Sequence, residues 1–145
     1  MQILRFGTCQ TCLFYLLLVC CNITTPTCLS TAIAIQLITV AICGSFVFYT
    51  NFNHYRKQYS NFSKYQLILM DAVIHIIPLI HVLCCLDKYV IRPLPYESFI
   101  LMYLYGVLYF TFTDVRNVYI DFSPVYLIST MMISNCITKQ LIELF

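Results

Sequence analysis

The sequence predicts an all-α, multi-pass transmembrane helical bundle of about five helices, four if the first segment is removed as a signal. Three observations carry this. Hydrophobic residues make up 61% of the 145-residue chain and charged residues only 10%, against about 25% in soluble domains. No Asp, Glu, Lys or Arg occurs in the 48 residues from Phe6 to Asn53, twice the length one crossing of about 20 residues needs. The remaining apolar runs are divided by short polar breaks. A net charge of +2 and no basic run interleaved with aromatics exclude a nucleic-acid binder. Abundant Phe, Tyr and Ile with no Trp fit an AT-rich coding sequence, such as that of a small membrane protein of a large DNA virus or of an AT-rich microbe.

The first candidate helix spans 7–21. Its rival reading is a signal peptide, because Met1 to Arg5 is a short basic start before the apolar core Leu13 to Val19. No A-x-A-like cleavage site follows, which favours an anchor. Asn22 to Thr27 supplies turn chemistry, since Pro26 cannot continue a helix and Asn and Thr compete for backbone groups. A second helix is expected over 28–50. Asn51 to Lys64 carries His54, Arg56, Lys57 and Lys64 with no acid and reads as a cytoplasmic loop.

The third candidate covers 65–86. Asp87 to Glu97 follows as a loop, kept out of helix by Pro93 and Pro95. The fourth candidate is 98–113, the fifth 118–138, with a tight hairpin at Asp114 to Asn117 between them. With the N-terminus inside, Arg5, Arg56, Lys57, Lys64 and Arg116 lie on the cytoplasmic side and Lys88, Arg92 and Lys139 outside, which agrees with the positive-inside rule. Of the two glycosylation patterns, Asn22 lies against the membrane and Asn61 on the cytoplasmic side. Tyr89, Tyr96, Tyr103, Tyr105, Tyr109, Tyr119 and Tyr126 read as an interfacial belt and packing groups.

The polar residues of the third helix are the most informative. At about 100° per residue, with Asp71 at about 0°, His75 falls near 40°, Pro78 near 340° and His81 near 280°. Such a stripe should face the bundle interior, because a central Asp costs about 2.5–3.5 kcal/mol in lipid. Asp71 and His75 are one turn apart and can hydrogen-bond. Pro78 removes the usual donor of the Ile74 carbonyl, which His81 or a water would serve instead. Asp71, His75, His81 and Asp121 are thus the candidate intramembrane polar site. No metal site is expected, because His75 and His81 diverge and the i, i+4 His pair of a helical zinc motif is absent. No cofactor is expected.

Leu37-Ile38-Thr39-Val40 and Asp87-Lys88-Tyr89-Val90-Ile91-Arg92-Pro93 resemble fragments of the androgen-induced family of membrane-embedded threonine/histidine hydrolases. That resemblance implies a catalytic His on the helix after the second fragment. Ser98 to Thr113 has none, and His75 lies on the helix before it, so no family is assigned on these two fragments.

Nine cysteines, mostly in apolar segments, exclude a secreted disulfide framework. Cys9 and Cys12 read as small structural residues or acylation sites at the cytoplasmic boundary. A disulfide is possible where Cys20, Cys21, Cys28, Cys84 and Cys85 meet at the outer end, with at most one or two such links expected. The leading expectation for function is a non-enzymatic, multi-pass protein of an endomembrane, plasma or host membrane, acting by assembly as a homo-oligomer or with a membrane protein partner. The alternatives are a small channel or transporter using Asp71 and His75, and a membrane-embedded hydrolase.

Overall fold

The computed structural model describes residues 7–21, 25–112 and 123–145. Among them the chain is all helix, with no strand. Asp121, Asn22 and the hairpin at Asp114 to Asn117 lie outside the described residues.

α1 is Gly7–Cys20. Thr11, Tyr15 and Leu18 recur at helical spacing and are buried, while Leu13, Phe14, Leu16 and Leu17 are exposed. α2 is Cys28–Thr50. It opens with a capping box, in which the Thr27 hydroxyl accepts from the Ser30 amide at 3.1 Å and Ser30 Oγ accepts from the Thr27 amide at 2.7 Å. This reciprocal pairing satisfies donors that a helix start leaves orphaned. α2 is apolar on all sides and is the central helix, packed against every other long helix. An all-round apolar helix is the one a bundle buries.

α3 is Phe52–Gln58, inside the segment expected to be a loop. Aromatic packing explains it: Phe48 on α2 meets Phe52 and Tyr55 with ring centroids 5.3 and 5.4 Å apart. α4 runs Lys64–Cys84, started by a second capping box between Ser63 and Gln66. A π turn, Ala72–Ile76, interrupts it. The short α5, Leu86–Tyr89, takes the first residues of the expected 87–97 loop. α6 is Tyr96–Phe112 and α7 is Pro124–Leu144. α7 opens with Pro124 in its first turn, where a missing N–H costs nothing; residues 118–122 of the expected helix lie outside the described residues. Its end reaches Leu144, past the expected 138.

Two seams fix the helices around α2. At its N-terminal end, Ser30 and Thr31 hydroxyls donate to the Tyr89 carbonyl at 2.9 and 3.2 Å, and Ser98 Oγ donates to the Cys28 carbonyl at 2.9 Å. Along α7, Thr130, Ser134 and Thr138 are spaced by one turn and buried. Thr138 Oγ1 lies 3.0 Å from Thr39 Oγ1, and Ser134 hydrogen-bonds Cys43. Small hydroxylated residues let helices approach closely in an apolar medium. The nine cysteines are free thiols, so none of the possible links at the outer end is formed. Among the described residues two helices, α2 and α4, are long and apolar enough to cross a membrane, not the expected five. α1, with 14 residues, and α6, with 17, fall short of about 20.

Candidate functional site

The polar stripe of α4 splits in two, and the cause is Pro78. Proline has no N–H to give the Ile74 carbonyl, and its ring crowds that carbonyl. The helix widens just ahead of it, and Ile77 donates to Ala72, five residues back. A π turn adds one residue to the helix and turns everything beyond it by roughly 100°. His81 therefore moves from the expected 280° to roughly 180°, opposite Asp71. It lies against α1, its Nδ1 2.6 Å from the Tyr15 hydroxyl. The expected grouping of His81 with Asp71 and His75 is corrected on this ground. The Ile74 carbonyl is served by the Cys12 thiol at 3.5 Å, and not by His81.

Asp71 and His75 remain together on the α2 side. His75 Nδ1 lies 2.7 Å from Asp71 Oδ1. The carboxylate accepts, so Nδ1 carries the proton of this bond, which in the neutral ring makes Nε2 the acceptor nitrogen. Two α2 side chains complete the Asp71 shell: Ser45 Oγ donates to Oδ2 at 3.4 Å, and the Tyr49 hydroxyl also hydrogen-bonds the carboxylate. Asp71 is 3% exposed. A buried carboxylate needs several donors to persist, and Asp71 has them.

The His75 ring packs against Gly44 of α2. A Cβ on Gly44 would overlap the ring, Nε2 being its nearest atom, with Cδ2 2.6 Å and Cε1 2.9 Å away. Gly44 is thus the residue that lets the imidazole approach the helix.

Asp71, His75 and Gly44 line a cavity of about 370 Å³, within the range of small-molecule sites. Its wall is mainly apolar and aromatic, including Val40, Val47, Phe48 and Leu127. Tyr55 of α3 and Tyr59, the residue that ends it, also line the cavity. Burial, then the neighbouring Tyr59, pushes the Tyr55 phenol up to about 12, so it is a neutral hydrogen-bonding group at neutral pH. Gln36 is the cavity residue that the sequence reading passed over, although an amide inside an apolar run is itself a signal.

Thr39, the threonine of the hydrolase-like fragment, pairs with Thr138 and not with a histidine. Among the described residues no group of three or more His, Cys, Asp and Glu side chains is placed to hold a metal ion. No protein-family model, curated protein or solved structure matches this chain.

Proposed function

We propose that this chain is a multi-pass integral membrane protein that hydrolyses a lipid-like ester, with His75 as general base and Asp71 as the group that orients it. The observation that carries the reading is an Asp–His pair, bonded through Nδ1, set in the wall of an apolar cavity large enough for a small molecule.

The membrane setting is supported by an outward-facing apolar surface. Leu69, Val73, Ile77 and Ile80 of α4 are exposed, as are Ile100, Leu104, Val107 and Leu108 of α6 and Ile128, Met132, Ile133 and Ile137 of α7. Apolar patches of this extent are rare on soluble monomers and mark contact with lipid or protein. The cations gather at the two ends of the helices: Arg56, Lys57 and Lys64 at one, Lys88, Arg92 and Lys139 at the other. Between them α2 has 23 residues, roughly 34 Å of helix, against a hydrocarbon core of about 30 Å.

In the proposed reaction a water molecule lies on Nε2. The imidazole takes its proton as the oxygen attacks the ester carbonyl carbon. The bond to the alkoxide then breaks, and the imidazolium returns the proton to the leaving oxygen. Acid and alcohol are the products. Asp71 remains ionised throughout and holds the ring in the tautomer that presents a lone pair at Nε2. The apolar wall favours this reading over an ion path, which needs polar groups along its length. The cavity favours it over assembly alone.

The test is turnover of a long-chain p-nitrophenyl ester by the purified protein in nanodiscs. His75→Asn is expected to keep the fold and lose about 10²–10⁴-fold in rate. Equal rates for the wild type and a folded His75→Asn protein would refute the hydrolytic role.

A further inference from the structure

Gln36 lines the same cavity as the dyad. It is 7% exposed, and among the described residues its amide has no hydrogen-bond partner. Other buried polar groups on or against α2 behave otherwise: Asp71 has three donors, Thr39 has Thr138, and Ser30 has Tyr89. An amide bordered by hydrocarbon side chains is unfavourable without a partner. Gln36 lines the cavity, which is therefore where a partner can be supplied. Along α2, Gln36 and Gly44 are eight residues apart, roughly 12 Å. Gly44 marks the position of the His75 ring. Val40 and Cys43 lie between them on the cavity wall.

We infer that Gln36 is the specificity residue of this cavity: it pairs with an oxygen function, a hydroxyl or carbonyl, carried on the chain of the substrate about 12 Å from the group at His75. The inference rests on the reading of the cavity as a ligand site. The substrate class is then an ester with an oxygenated chain, not one with a plain alkyl chain. An alkyl chain would seal the amide away unpaired, and a site with a buried polar group rejects the analogue that lacks its complement.

Two assays on protein in nanodiscs test this. The first compares hydrolysis of p-nitrophenyl 10-hydroxydecanoate and p-nitrophenyl decanoate. The second uses the His75→Asn protein and compares the thermal shift given by 1,10-decanediol and 1-decanol, which reads binding without chemistry. The wild type is expected to favour the hydroxylated ester by about threefold to tenfold in kcat/KM, and the diol is expected to give the larger shift. Gln36→Leu should abolish both preferences while remaining folded; Gln36→Met serves if the leucine variant does not fold. A diol preference that Gln36→Leu removes, with neither ester hydrolysed, would support the role of Gln36 and refute the hydrolase. Equal shifts from the two alcohols in protein with Gln36 intact, or a preference that survives the substitution, would overturn the inference.

Discussion

Gly44 and Gly106 give a matched pair of substitutions whose difference isolates one contact. Both glycines lie inside helices, α2 and α6. Replacing a mid-helix Gly by Ala returns about 0.8–1.0 kcal/mol of helix propensity. At Gly106 nothing lies within 4 Å of the new Cβ, so Gly106→Ala should stabilise by about that amount. At Gly44 the same methyl overlaps the His75 ring. The ring cannot swing aside freely, because its Nδ1 holds the buried Asp71 at 2.7 Å. Overpacking of this kind costs about 1–3 kcal/mol. Set against the propensity gain, Gly44→Ala should be destabilising by up to about 2 kcal/mol, and the two variants should differ by about 1–3 kcal/mol. Reversible unfolding in mixed micelles by denaturing detergent measures this. Adding His75→Ala removes the ring, so Gly44→Ala should then behave like Gly106→Ala. If Gly44→Ala is as stable as Gly106→Ala with His75 present, the ring does not pack on Gly44 and the dyad geometry fails.

Two further substitutions test the packing. Pro78→Ala restores an N–H for the Ile74 carbonyl, so the π turn should relax and His81 should turn away from Tyr15; Tyr15→Phe should then cost about 1 kcal/mol in the wild type and almost nothing beside Pro78→Ala, and an equal cost in both backgrounds contradicts the account. Thr39→Val removes the bond to Thr138 and should cost about 0.6 kcal/mol, the average for such pairs inside membranes, leaving ester turnover unchanged; lost turnover in a folded Thr39→Val protein would assign Thr39 the chemical role denied to it here.

The apolar runs were legible because their length and lack of charge are properties of composition. The Asp71–His75 pair was legible because i, i+4 spacing is local, and the added residue of the π turn changes the phase only beyond it. His81 was misplaced because a wheel of constant pitch assumes an unbroken helix, and one π turn before Pro78 changes the phase of all that follows. α3 was missed because polar composition suggested a loop, whereas the aromatic packing that stabilises it depends on Phe48 of another helix. The Ser134 and Thr138 seam was hidden for a related reason: hydroxyl spacing gives a face, but its partner on α2 is set by tertiary packing. Asp121, the fourth residue of the expected polar site, lies outside the described residues.

The proposed membrane setting makes hydrocarbon the solvent of the outer faces of α4, α6 and α7. Spin labels placed singly at Val73, Ile77, Leu104 and Val107, with Lys57 as the reference, measure this in liposomes by collision with oxygen and with a water-soluble nickel complex. The four apolar positions should be reached by oxygen and shielded from nickel, with Lys57 showing the reverse. Nickel access at all four equal to that at Lys57 would place these faces in water and contradict the membrane setting, along with the lipid-derived substrate.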